Sequence, residues 1–206
     1  MPAKEHWDKV YSTKAINAVS WFQEHADLSL RLIRDTGVTA DGSIIDVGGG
    51  ASTLVDDLLA GAFTNVTVLD LSAAALSAAR LRLGSRASAI HWLEADITQA
   101  SLPVRAYDVW HDRAVFHFLT APEARAAYVQ NVLRSVRPGG HVIVATFAED
   151  GPTQCSGLPV VRYSADELHS AFGDRFSLLK HEKEAHQTPF GTVQQFVYCY
   201  CRKLGS

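Results

Sequence analysis

The chain has 206 residues, 47% of them hydrophobic, enough for one domain with a substantial core. Its 19 basic and 22 acidic side chains leave a formal net charge of −3 and collect into no long basic run, which argues against a nucleic-acid footprint. No stretch approaches the ~20 apolar residues of a membrane span, and Met1-Pro2-Ala3-Lys4-Glu5-His6 has no apolar signal core, so a cytoplasmic location is expected.

The first feature in chain order is aromatic. His6-Trp7-Asp8-Lys9-Val10-Tyr11 and Val19-Ser20-Trp21-Phe22-Gln23 put Trp7, Tyr11, Trp21 and Phe22 ahead of any strand pattern. Helical patterns follow over 27–35, 52–60, 72–83, 121–136 and 164–172, and strand patterns over 43–47, 65–70, 89–93, 107–111, 140–147, 176–184 and 192–202. Strands alternating with helices predict a mostly parallel sheet covered on both faces. Thr120-Ala121-Pro122-Glu123 and Ser164-Ala165-Asp166-Glu167 read as capping boxes. Arg137-Pro138-Gly139-Gly140 reads as the end of one helix and the entry to the fifth strand. Only a turn around Thr188-Pro189-Phe190-Gly191 separates the last two strands, so they must run antiparallel. The expectation is a single α/β domain: an N-terminal helical leader over 1–40, then over 41–206 a Rossmann-like core of seven strands, mostly parallel, the last antiparallel.

The densest information lies in Ile44-Ile45-Asp46-Val47-Gly48-Gly49-Gly50-Ala51-Ser52-Thr53. An apolar strand ends in an acid, then Gly48, Gly49 and Gly50 turn into a helix, which brings bare backbone up to a ligand. A dinucleotide fingerprint would need a third spaced glycine where Thr53 stands, and an acid before the turn repels phosphate while suiting a cation. The second strand ends Val68-Leu69-Asp70-Leu71-Ser72, placing Asp70 where α/β nucleotide sites grip a ribose diol. The third ends Leu93-Glu94-Ala95-Asp96-Ile97, a third acid at a third strand end.

In combination these motifs resemble the class I methyltransferases, whose first motif usually reads D-V-G-C-G-T-G; here Gly49 replaces the cysteine and Ala51-Ser52 the last pair. The resemblance implies S-adenosyl-L-methionine as cofactor. It makes Asp46 and the three glycines the cradle, Asp70 the ribose ligand and Leu71 an adenine contact. Asp96 would take the adenine amine, with the N–H of Ile97 on a ring nitrogen. The W-D-x-x-Y leader and the Trp21-Phe22 pair resemble a lysine methyltransferase group that includes the elongation factor 1A and citrate synthase enzymes. That likeness implies a leader folded over the cofactor, with Tyr11 and Trp21 against its methionine part.

Tyr107-Asp108-Val109-Trp110-His111-Asp112-Arg113-Ala114-Val115-Phe116-His117 covers the fourth strand and its loop, the switch region of such a sheet. His111-Asp112-Arg113-Ala114 loosely resembles the D-K-G-T stretch of the same group. His111 and Asp112 are the predicted catalytic pair, either one a base for a protonated nucleophile, and His111 also borders the cofactor. His117 is a predicted substrate contact, as are Cys155 in the turn-rich Gly151–Pro159 loop and Arg162 and Tyr163 after it. His186 to Gly191 is expected to border the same mouth. Cys199 and Cys201 share one strand face and read as small core residues, and no metal site is expected. The predicted reaction is methyl transfer to a small-molecule nucleophile. A protein lysine as acceptor and a non-catalytic cofactor-binding module stay open as alternatives.

Overall fold

A computed structural model of the protein describes residues 2–205. Met1 and Ser206, the ends of the predicted domain, lie outside the described residues. Helix α1 spans Pro2–Thr13 and α2 Asp27–Asp35. Strand β1 (Ile44–Val47), helix α3 (Leu54–Ala60), strand β2 (Val66–Asp70), helix α4 (Ala73–Leu83) and strand β3 (Ile90–Glu94) then alternate. Strand β4 is Tyr107–Arg113, helix α5 Pro122–Ser135 and strand β5 Val136–Phe147. A small hairpin, β6 (Gln154–Cys155) and β7 (Leu158–Pro159), precedes helix α6 (Ala165–Phe172) and the long strands β8 (Phe176–Gln187) and β9 (Val193–Lys203).

Seven strands form one sheet in the order β3-β2-β1-β4-β5-β9-β8. The first five are parallel, and β9 lies antiparallel to both β5 and β8. This is the Rossmann-like architecture that the alternating pattern predicts. Neighbouring residues of a strand point to opposite faces, and the two cores obey that rule. Ile44, Val109 and Ile143 bury against α2 and α3 through Leu32, Ile33, Leu54 and Leu58. Their neighbours Ile45, Trp110 and Val142 bury against α5 and α6 through Tyr128, Val132, Leu168 and Phe172. Cys199 and Cys201 fall in the second core, their sulfurs 3.2 Å apart. Among the described residues no helix is long and apolar enough to cross a membrane.

Three local features depart from expectation. Within the leader, expected to be helical, the 12-residue α1 falls in none of the individually predicted helical stretches, although Trp7, Val10 and Tyr11 have helical spacing. The 151–159 loop contains the β6–β7 hairpin. Helix α5 starts one residue later than a Thr120 cap requires. Pro122, with its φ already helical, takes the first position, Ala121 becomes the N-cap without a side-chain bond, and Arg125 Nη1 takes the carbonyls of Leu119 and Thr120 at 2.8 Å. The Ser164 box forms in full, Ser164 Oγ accepting from Glu167 N at 3.2 Å and Glu167 Oε2 accepting from Ser164 N at 2.9 Å. Ser164→Ala is therefore expected to cost about 1 kcal/mol of stability and Thr120→Ala less than about 0.5 kcal/mol, as read by urea unfolding.

Candidate functional site

A cavity of about 300 Å³ opens at the C-terminal ends of β1 to β4, lined by Gly48, Asp70, Leu71, Asp96, Ile97 and Ala114 and roofed by Trp7, Tyr11 and Trp21. A smaller hollow of about 50 Å³ adjoins it, with Asp46, Gly49, Ser29 and His111 in its wall; Tyr11, Trp21, Gly48 and Arg113 border both. The structure thus brings Tyr11, Trp21, Asp46, Gly48, Gly49, Asp70, Leu71, Asp96, Ile97 and His111 around two adjoining hollows. Gly50 adds its N–H to Asp70 Oδ2 at 3.0 Å from behind the wall.

The glycine turn explains its own composition. Gly48 has φ +73°, and a Cβ there would run into Val115. A Cβ on Gly49 would overlap the carboxylate of Asp46. Asp70 is held by the N–H groups of Gly50 and of Ser72, the latter at 2.8 Å. Burial nevertheless pushes its pKa up to about 6. Asp96 Oδ1 accepts from Thr98 N and Oγ1 at 2.8 and 2.7 Å, which fixes the loop after β3.

Asp46 and His111 are register partners on β1 and β4, so their side chains meet on one face. His111 Nδ1 lies 2.7 Å from Asp46 Oδ1 and Nε2 lies 2.8 Å from Ser29 Oγ of α2. Both ring nitrogens are engaged, so the imidazole holds neighbours in place and has no free lone pair for an acceptor. Asp46 Oδ2 is buried without a partner. Such an oxygen demands a donor, and it lies against Gly49 in the wall of the smaller hollow.

Asp112 does not join this pair. As the next residue along β4 it points to the opposite face, where it is 0% exposed. Its oxygens accept from Val115 N (2.7 Å), Phe116 N (3.1 Å) and Tyr128 OH (2.6 Å), and burial raises its pKa to about 6. The catalytic reading of Asp112 gives way to a structural one: it pins the loop that follows β4. That loop turns at Ala114, whose φ of +78° is rare for a residue with a Cβ.

The predicted substrate residues stay out of the cavity. His117 is wholly buried beside Phe118 and Phe147, its Nδ1 accepting from Phe147 N at 3.3 Å, and burial with the nearby Arg113 lowers its pKa to about 3. Cys155 packs into the first core, where burial pushes its thiol up to about 12. Arg162 gives its guanidinium to the carbonyls of Glu149 (2.7 Å) and Gly151 (3.2 Å). Tyr163 packs on Phe116 in the second core. The 186–191 turn meets the leader instead of the mouth, with His186 Nε2 2.7 Å from the carbonyl of Ser20.

In their place the structure supplies Arg113, Trp7 and Phe118. Arg113 shares the His111 face of β4 and donates to Glu184 Oε2 (3.0 Å), Tyr198 OH (3.0 Å) and the carbonyl of Trp21 (3.3 Å). It thereby fastens the leader over the cavity. Trp7 packs edge-on against Trp21 and Phe118 with centroids 5.6 and 5.2 Å away. Asp8 of α1 accepts from Ser72 Oγ (2.7 Å) and Ala74 N (3.3 Å), capping α4 from outside, and Lys4 bonds Glu94 at 2.7 Å. Ser29 had a legible signal: it sits with Ala26 and Ile33 on the apolar stripe of α2, where a serine needs a partner. If Asp112 serves the scaffold, Asp112→Ala will lower unfolding free energy by about 2–4 kcal/mol while S-adenosylhomocysteine titrated into the folded variant binds as in wild type.

Residues 44–140 match the model of a methyltransferase domain. EEF1A lysine methyltransferase 2 of Homo sapiens is 22% identical over 191 residues, covering 86% of this chain and 75% of that protein. The Danio rerio protein of the same name is 26% identical over 157 residues, covering 69% and 67%. Among solved structures, one described for the conversion of a disulfide bond into a thioacetal group in echinomycin biosynthesis superposes with a TM-score of 0.79 at 19% identity, covering 98% of this chain and 93% of the other. The N-methyltransferase NodS from Bradyrhizobium japonicum with S-adenosylhomocysteine gives 0.70 at 17% identity, covering 95% and 97%. The domain match over 44–140, the strand order and the relatives named as methyltransferases together support a class I S-adenosylmethionine-dependent methyltransferase.

Proposed function

We propose that this enzyme methylates a small-molecule nucleophile enclosed beneath its aromatic leader. The observation that carries the reading is the closure of the site. Helix α1 and Trp21 roof the cavity, and His6 Nε2 reaches Ser156 Oγ at 3.3 Å, tying the leader to the hairpin loop. A lid latched on that side suits an acceptor that is swallowed whole. The cytoplasm, where thiols stay reduced, suits the three unpaired buried cysteines.

S-adenosylmethionine supplies a methyl group on a sulfonium that is already a good leaving group, so the protein's task is mainly alignment and exclusion of water. Asp70 would accept the ribose hydroxyls and Asp46 Oδ2 the α-ammonium. Leu71 and Ile97 would flank the adenine, and Asp96 would meet its amine. The faces of Tyr11 and Trp21 would favour the sulfonium by cation–π attraction of ~0.5–2 kcal/mol. Tyr11, whose phenol burial holds well above its ordinary pKa, stays protonated and accepts from Trp21 Nε1 at 3.2 Å. With both nitrogens of His111 engaged and Asp112 on the other face, neither takes a proton, so the acceptor must arrive with its lone pair free.

A protein lysine is the second reading, favoured by the names of the relatives. Formation of S-adenosylhomocysteine from S-adenosylmethionine, followed over panels of small amines, thiols and acids and with elongation factor 1A, separates the two. Turnover with a small acceptor supports the proposal; turnover with the protein alone overturns it in favour of a lysine. Binding of S-adenosylmethionine without turnover on any acceptor would leave a non-catalytic module. Affinity should also depend on pH through Asp70. The diol needs an ionised acceptor, so S-adenosylhomocysteine binding should weaken as pH falls through about 6, by up to about tenfold per pH unit. Asp70→Asn should bind weakly at every pH and lose that slope.

A further inference from the structure

The buried polar chain that begins at Asp46 continues well beyond the cradle. His111 and Asp46 side chains are each 3% exposed, and their 2.7 Å contact occupies only Oδ1. Beyond His111 Nε2 comes Ser29 Oγ at 2.8 Å, then Tyr198 OH at 3.4 Å. Tyr198 donates to Glu184 Oε2 at 3.2 Å and accepts from Arg113 Nε at 3.0 Å. Arg113 Nη1 ends the chain on the carbonyl of Trp21. One connected run of hydrogen bonds therefore passes from β1 through β4, α2, β9 and β8 to the roof of the cavity.

We infer that His111, backed by Ser29, is a positioning residue that aims the free oxygen of Asp46 at the amino-acid end of the cofactor. The inference rests on the proposed assignment of Asp46 to the α-ammonium. A carboxylate rotates readily about its last bond, and a broad torsion of that kind is fixed only by what its oxygens touch. A carboxylate can only accept, so Nδ1 carries a hydrogen toward Oδ1. That bond settles the plane of the group and leaves Oδ2 unpartnered against Gly49, in the wall of the hollow. Ser29 stops the imidazole from swinging away. A base role for His111 would need a free nitrogen, whereas a positioning role uses both.

The two ring nitrogens can be mimicked separately. Asparagine sets an amide nitrogen near the place of Nδ1, and glutamine sets one near the place of Nε2. S-adenosylhomocysteine and 5′-methylthioadenosine, which lacks the amino-acid end, are titrated into wild type, His111→Asn and His111→Gln, each checked for folding by its melting transition. His111→Gln is expected to weaken S-adenosylhomocysteine roughly tenfold and 5′-methylthioadenosine less than about twofold. His111→Asn is expected to keep S-adenosylhomocysteine within about threefold of wild type. Equal losses for both nucleosides would make His111 a general packing residue. Unchanged S-adenosylhomocysteine binding in His111→Gln, or an equal loss in both variants, would remove the positioning role. Should either variant fail to fold, Ser29→Ala carries the same comparison, with the same selective loss expected. Wild type that binds 5′-methylthioadenosine as tightly as S-adenosylhomocysteine overturns the Asp46 assignment itself, and wild type that binds neither overturns the cofactor reading beneath it.

Discussion

A carboxylate that is 2% exposed, at the C-terminal end of a central strand, is the constraint on which this site depends. Burying an ion costs several kcal/mol unless charge or hydrogen bonds compensate it. Asp46 has one oxygen compensated from within, by His111, and the other by nothing in the protein. The glycines beside it are then doubly required, once for the turn at Gly48 and once to leave room for the carboxylate at Gly49. The fold comes with a built-in deficit at the point where the proposed cofactor would bring its ammonium.

Strand alternation sorts the polar residues around that point into two systems. His111 and Arg113, two apart on β4, reach toward α2, β9 and the leader, the side on which the cavity opens. Asp112 between them reaches to Tyr128 and, through it, to Trp110 Nε1 at 2.9 Å. The first system meets the ligand space. The second holds the 114–118 loop, including the unusual turn at Ala114, so that its apolar side chains line the wall. Recognition and scaffold are carried by alternate residues of one strand, on opposite faces of the sheet.

The fold and the cradle were largely legible because both depend on local pattern. Apolar runs ending in acids marked β1, β2 and β3, and alternation with helices implied parallel pairing. The antiparallel place of β9 followed from a connection too short for a crossover. What failed depended on orientation. His111 and Asp112 looked like a pair because they are adjacent in sequence, yet period-two alternation separates adjacent strand residues, and that rule alone predicts their parting. His117, Cys155, Arg162 and Tyr163 carry reactive groups, but whether such a group faces a cavity or a core depends on how the loops after β4 and β5 pack. Arg113 and Ser29 gain their meaning from Glu184 and Tyr198, far along the chain, and no local pattern links them.

The leader is fastened unequally at its two ends. Near Trp21 it is held by a guanidinium that is itself shielded, paired with Glu184 and laid 4.2 Å over the ring of Phe196. At α1 the ion pair to the sheet is Lys4 on Glu94, with side chains 36% and 50% exposed, beside the bonds of Asp8 to Ser72 and Ala74. Electrolyte screens exposed pairs over roughly 8–10 Å at ordinary ionic strength and leaves shielded ones nearly untouched. The leader thus carries a salt-insensitive fastening at Trp21 and a salt-sensitive ion pair at α1. If the cofactor lies as proposed, the salt-sensitive fastening sits at the Leu71 side of the cavity, over its adenine end. On that reading, added electrolyte loosens the cover over the base and leaves the cover over the methionine end in place.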